Sequence, residues 1–275
     1  MKKVILDTDL GCDSDDIGAV VILNRLFKEN LVFPLSITSV NSNIEPAIVI
    51  EEINKYYGND ILIGMNKSND YGIKDGYAKK IVDNYNLSTA RCYADSCDVI
   101  KKTLENEEYV TLITIGPLTN IAMFIKKYGC SLLNEKVKEI YLMAGNFVSN
   151  NPEWNITEDI ESLKIVLKEY TGNMIFIPFE IGCDVFTARN LLTSDTLMGY
   201  GYFVHNQGPR QSWDPITVYY AITDSDEFTL SPKGTVLCDD SGVTTFTLGN
   251  GNHYYMLNNF DKKKIENILE EIMIA

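Results

Sequence analysis

The chain reads as an α/β protein built on a mostly parallel central sheet with flanking helices, and three observations predict it. Short apolar runs such as Val4-Ile5-Leu6 and Ile61-Leu62-Ile63 recur along the chain, and stretches with apolar residues at helical spacing separate them. Strands that alternate with crossover helices pair in parallel, because a right-handed crossover returns the chain to the same sheet edge. From 229 to 256 the texture changes: short β-rich runs are separated by Asp239-Asp240-Ser241-Gly242 and Gly249-Asn250-Gly251-Asn252. This is the turn chemistry of a small β-hairpin region near the C-terminus. The whole is Rossmann-like.

Taken in order, 4–6 is a buried strand and 17–27 a helix. A strand over 35–40 is followed by a helix over 46–57 with Glu45 near its start, and 61–63 is a third buried strand. Helices over 99–104 and 121–128 flank a central strand at 110–115, which stops at Gly116-Pro117. A strand at 137–143 ends in Ala144-Gly145, a helix covers 160–170, and 174–178 is a strand again. Trp213-Asp214 leads into a helix at 215–221, and a closing helix runs over 262–274. With 275 residues, 45% of them hydrophobic, the chain can bury a substantial core. Since no Pro/Ser-rich linker or repeat divides it, residues 1–275 are expected to form one domain.

Acidic residues outnumber basic ones 38 to 24, for a formal net charge of -14. That balance disfavours a nucleic-acid backbone or an anionic membrane as partner and favours a small substrate. Met1-Lys2-Lys3 precedes only three apolar residues, too few for a signal-peptide core, and no apolar run is long enough to span a bilayer. A cytoplasmic protein is expected. Its six cysteines lack metal-ligand spacing, which suits reduced thiols.

The functional centre is the run Asp7-Thr8-Asp9-Leu10-Gly11-Cys12-Asp13-Ser14-Asp15-Asp16, which sets five carboxylates directly behind the first strand. Helix capping accounts for one or two such acids, not for five. So much like charge calls for a cation or a bound ligand to offset it. The donors are hard oxygens without a histidine among them, which suits Ca²⁺ or Mg²⁺ and argues against zinc, and Cys12 is read as a packing residue. Polar residues recur at later strand ends: Asn41 and Asn43, Gly116, Asn146 and Glu180. Two further loops, Glu153-Trp154-Asn155 and Ser212-Trp213-Asp214-Pro215, are expected over the same sheet edge. Taken singly, each also reads as an ordinary turn, cap or core residue.

The strand followed by Asp-x-Asp-x-Gly and a later Asp-Asp resembles the calcium-site signature of the nucleoside hydrolases, the N-ribohydrolase family. The resemblance continues through 111–122, 140–145, Glu153-Trp154-Asn155 and Trp213-Asp214, in the family's order. It implies that Asp9 binds Ca²⁺ and takes a proton from the attacking water. It further implies that Asp16, Asp214 and the backbone carbonyl of Ile115 complete the metal ligands, and that Asp15, Asn43, Glu153 and Asn155 hold the ribose hydroxyls. Asn41 competes with Asn43. Cys12-Asp13-Ser14 lengthens the loop, which lets Asp13 compete with Asp15. A dimer or tetramer is implied as well.

Trp213 stands where many members carry a histidine that protonates the leaving base; it resembles instead the purine-preferring branch, in which an aromatic ring stacks on the base. Tyr71, Tyr77, Tyr200 and Tyr202 lie in segments that could offer a second face. His205 is near enough in sequence to be considered as an acid, although a histidine there more often faces solvent. The expected reaction is hydrolysis of the N-glycosidic bond of ribonucleosides to ribose and free base. Positive charge developing on the ribose is stabilised by carboxylates, and an ion-bound water supplies the nucleophile. Two other readings compete: a catalytically silent Ca²⁺-dependent nucleoside-binding protein, and a haloacid-dehalogenase-like Mg²⁺ phosphatase, which also begins with a strand and Asp-x-Asp.

Overall fold

The computed structural model describes residues 1–68, 71–72, 76–149 and 151–273. Its strands are β1 (Lys2–Thr8), β2 (Val32–Ser39), β3 (Leu62–Met65), β4 (Ala94–Asp95), β5 (Val110–Thr114), β6 (Val137–Met143), β7 (Asn173–Ile177), β8 (Phe186–Thr187), β9 (Arg210–Gln211), β10 (Gly234–Cys238), β11 (Thr244–Leu248) and β12 (His253–Tyr255). Among the described residues ten of these form one sheet in the order β11-β10-β12-β7-β6-β5-β1-β2-β3-β4, while β8 and β9 pair separately. The run from β12 to β4 is parallel throughout. The expected hairpin is β10 with β11. It is not an appendage, because β10 also pairs with β12, and β12 lies parallel to β7.

The helices are α1 (Asp15–Lys28), α2 (Ile44–Tyr56), α3 (Tyr77–Tyr85), α4 (Ser96–Glu105), α5 (Thr119–Tyr128), α6 (Ser131–Lys136), α7 (Trp154–Glu158), α8 (Ile160–Glu169), α9 (Phe179–Gly182), α10 (Arg189–Leu192), α11 (Leu197–Asn206), α12 (Trp213–Thr223) and α13 (Lys262–Ile272). The expected closing helix is α13, and its last expected residue, Ile274, lies outside the described residues. Trp213 and Asp214, expected ahead of a helix, form the first turn of α12.

Alternate residues of β1 divide the core in two, as a pleated strand requires. Val4 and Leu6 join a cluster with apolar residues of α1, α2, α11, α12 and α13 on one face. Ile5 joins the other, with residues of α4, α5 and α8. Covered on both faces, β1 is buried from Val4 onward. The chain runs outward from β1 through β2, β3 and β4, then returns to β5 on the other side of β1 and continues through β6 and β7. Strand order therefore reverses between β1 and β5. The carboxyl ends of strands at such a reversal open into a crevice, and the acidic loop leaves β1 there.

Candidate active site

A cavity of about 350 Å³ lies at this crevice. Its lining carries the acids Asp9, Asp15, Asp16, Asp214 and Glu153 with Ile115 and Asn155, and the aromatic rings of Trp154, Phe179 and Trp213. Arg210 and His205 are the basic side chains that reach the cavity among the described residues.

Asp15, Asp16 and Asp214 each direct a carboxylate oxygen to a common point, with these atoms within 4.8 Å of one another. Two helix N-termini create the arrangement, since Asp15 and Asp16 occupy the first turn of α1 and Asp214 that of α12. The partial positive charge of a helix N-terminus offsets part of their repulsion. The backbone N–H of Asp214 donates to Asp15 Oδ2 at 3.1 Å, joining the two helix starts, and the Thr8 hydroxyl donates to Asp16. All three are nearly inaccessible. Burial first, and then repulsion from neighbouring carboxylates, Asp9 and Asp13 among them, pushes their pKa values well above the ordinary carboxylate range. Charges so poorly compensated within the protein fit a hard divalent cation, and the donor set is all oxygen.

Asp9 follows the end of β1 and lines the same cavity, accepting a 3.0 Å hydrogen bond from the Tyr71 hydroxyl. Burial raises its pKa to about 7. Gly116, just past β5, lets the neighbouring strand end close on it: a Cβ at 116 would stand 2.9 Å from Asp9 atoms. Glu153 caps α7, accepting from the N–H groups of Asn155 at 2.8 Å and Ile156 at 3.3 Å, and burial lifts its pKa to about 7. Asn155 is aimed by its own amide, which donates to the Met143 carbonyl at 3.1 Å.

Asp13 and Asp15 stand in different settings. Asp13 sits at the mouth, its carboxylate gripped by Arg210 through Nε at 2.8 and 3.0 Å and through a terminal guanidinium nitrogen. Asp15 lies within the buried trio. Asn41 is fully buried, and its Oδ1 accepts from the backbone N–H of Asn43, which precedes α2 outside the cavity lining. Burial raises the Cys12 thiol well above its ordinary pKa, so it stays a thiol rather than a thiolate.

Trp213 is fixed by its indole N–H, which donates to the Phe179 carbonyl at 2.7 Å, and by stacking on the Phe179 ring at 5.5 Å between centroids. Of the tyrosines considered as a second face, Tyr77 and Tyr202 are buried in the core and none lines the cavity. His205 reaches the cavity with its side chain 28% exposed, its Nδ1 3.0 Å from the Ser14 hydroxyl. His253 is buried in the hairpin region, where its Nδ1 accepts the Val236 N–H at 2.9 Å.

Sequence reasoning missed Arg210 and Phe179. Arg210 had a signal, as the only Lys or Arg between Arg189 and Lys233 and one that stands three positions before Trp213. Phe179 had none, because it meets Trp213 only through the packing of α9 against α12.

The fold recurs in solved structures along essentially the full chain. A nucleoside hydrolase from Bacillus anthracis, described as inosine-uridine preferring, superposes with a TM-score of 0.78 at 17% identity, covering 100% of this chain and 99% of that one. A plant nucleoside hydrolase gives 0.78 at 19% identity with the same coverage. A ribonucleoside hydrolase from Gardnerella vaginalis, described as purine-preferring, gives 0.76 at 16%, covering 99% and 98%. In sequence, the chain is 27% identical over 105 residues to an uncharacterized protein of Schizosaccharomyces pombe, a match that takes in 36% of this chain and 31% of that protein's length. Residues 4–248 match the family described as inosine-uridine preferring nucleoside hydrolase, a span that holds the acidic loop, both helix starts of the carboxylate trio and the Glu153 cap. The chain belongs to that family of N-ribosyl hydrolases.

Proposed function

We propose that this protein hydrolyses the N-glycosidic bond of ribonucleosides, purine ribonucleosides foremost, to ribose and free base, with Ca²⁺ as its ion. The observation that carries this reading is the pairing, in one cavity, of three converging buried carboxylates with the stacked rings of Trp213 and Phe179. The phosphatase alternative is set aside by the family match.

Asp15, Asp16 and Asp214 would hold the ion with Asp9 and the Ile115 carbonyl, in keeping with the all-oxygen donors and an un-ionised Cys12. When bound, Ca²⁺ supplies a fixed positive charge that gathers ribose hydroxyl oxygens and eases ionisation of a nearby water. Asp9 takes the proton from the attacking water. With the ion's charge beside it Asp9 is held as a carboxylate, the form that can accept that proton. Asp15, Glu153 and Asn155 accept from or donate to the ribose hydroxyls, and the carboxylates among them stabilise the oxocarbenium-like charge as the bond breaks; Asn43, implied by the resemblance for the same task, lies outside the cavity lining. Trp213 gives a planar base an aromatic surface in the same cavity.

The reading treats 1–275 as one functional domain, which the continuous ten-strand sheet supports. It also takes the protein to be a cytoplasmic homo-oligomer, a dimer or tetramer. The six unpaired cysteines and the exposed Leu237 and Leu248 agree with that, and no helix among the described residues is long and apolar enough to cross a membrane. A reducing-sugar assay over a nucleoside panel, with and without chelator, tests the reading. Ribose released from inosine, lost with chelator and restored by Ca²⁺, is the expected result. Nucleoside binding without any release of ribose would overturn it, and faster turnover of uridine than of inosine would overturn the purine preference.

A further inference from the structure

The cation at the cavity mouth has a definite hydrogen-bonding direction. Arg210 and Asp13 both line the cavity, and their side chains are only 24% and 29% exposed. The guanidinium lies over the Trp213 ring, 5.4 Å from its centre, against the surface proposed to take the base. Its Nε donates to both Asp13 oxygens, one terminal nitrogen donates to Asp13 and the other to Gln211 Oε1 at 2.7 Å. A guanidinium has five N–H groups. One N–H on each terminal nitrogen is thus left without a partner among the described residues. Asp13 in turn is acceptor-only and keeps lone pairs that Arg210 does not use. The ion pair therefore presents a fixed donor beside a fixed acceptor, and neither can reverse its role.

We infer that the Arg210–Asp13 pair selects the leaving base by its edge, favouring bases that set an oxo oxygen beside a ring N–H and disfavouring those that set an amino group beside an unprotonated ring nitrogen. The inference rests on the ribonucleoside reading above and deepens it. Hypoxanthine, guanine and uracil carry the matching edge. Adenine and cytosine carry the reverse, which would face donor with donor and acceptor with acceptor. The same contact assists the reaction. As water oxygen bonds to C1′ and a carboxylate takes its proton, the electron pair of the C1′–N bond leaves with the base, spreads onto the oxo oxygen held by the guanidinium, and is neutralised by a solvent proton. Arg210 is in this sense a specificity-determining residue.

Hydrogen bonds to charged groups carry discrimination of roughly tenfold to a hundredfold. Both tryptophans of the chain, Trp154 and Trp213, line the cavity, so their fluorescence reports base binding independently of turnover. The test titrates the full-length protein in CaCl₂ with free hypoxanthine and free adenine, and measures ribose release from inosine and adenosine, for wild type, Arg210→Gln and Arg210→Lys. Wild type should favour the oxo member at least tenfold in both assays. Arg210→Gln, whose amide offers donor and acceptor alike, should lose at least tenfold more on inosine than on adenosine. Arg210→Lys should keep part of the preference.

Ribose release with no difference between inosine and adenosine, or a preference that Arg210→Gln leaves intact, overturns the inference while the proposed activity stands. An Arg210-dependent preference for hypoxanthine without ribose from any nucleoside supports the inference and overturns the activity. If Arg210→Gln does not fold, the wild-type comparison and Arg210→Lys decide the matter alone.

Discussion

Asp13, Asp15 and Asp16 stand within four positions of one another, yet their surroundings give them different work. Asp13 is matched by a guanidinium at the cavity mouth, whereas Asp15 and Asp16 are buried with Asp214 and make no ion pair among the described residues, Arg210 acting on Asp15 only at longer range. Asp214→Asn should therefore abolish tight Ca²⁺ binding by calorimetry and reduce ribose release by roughly a thousandfold or more, as loss of a charged ligand at a reacting centre does. Asp13→Ala should retain Ca²⁺ binding and cost far less. Equal losses in the two variants would mean that Asp13 belongs to the ion site. Gly116→Ala is the matching steric probe: its methyl would press on Asp9, so kcat should fall at least tenfold while Ca²⁺ affinity changes less. Much of this was legible in the sequence, because five acids behind one strand have few explanations. The acids alone could not rank Asp13 against Asp15, since what separates them is an arginine 197 positions away.

At the scale of elements, apolar runs revealed the central strands, whose burial on both faces leaves little ambiguity. Helices α3 and α11 escaped notice for different reasons. α3 buries only Tyr77, Ala78 and Ile81 on a polar background. α11 carries Gly199, Gly201 and several aromatics, all poor helix formers. Packing overrides that propensity: a Cβ at Gly201 would lie 2.3 Å from the Ile17 Cδ1 atom of α1, so the glycine lets two helices approach. Glu153-Trp154-Asn155, expected as a loop, is instead the cap and first turn of α7. Glu153→Ala should thus destabilise the protein by about 1 kcal/mol in denaturant melts and raise KM by freeing Asn155. Glu153→Gln, which keeps one of the two acceptor oxygens, should cost less stability. Similar melts for the two variants would remove the capping role.

For the molecule as a whole, the buried acids tie stability to pH. Glu153 has a folded pKa of about 7 against 4.5 when unperturbed. The folded state thus binds the proton more tightly than the unfolded one. Its contribution, on the order of 3 kcal/mol, is fully present below pH 4.5 and is lost as pH rises through 7. The raised pKa values of Asp7, Asp9, Asp15, Asp16 and Asp214 act in the same direction. Chelator-treated protein should therefore melt at a lower temperature at about pH 8 than at about pH 5.5, and Ca²⁺ should recover most of the difference at the higher pH. A melting temperature that rose with pH in chelator would contradict this account of the cluster.

The bond between Asp214 and Asp15 joins residues 199 positions apart. On a translating ribosome the first strand and its acids emerge long before the segment that completes their cluster, so the proposed ion capture would be a closing event of folding rather than its seed. Calcium added to stalled nascent chains should protect the amino-terminal region from proteolysis only once Asp214 has cleared the exit tunnel.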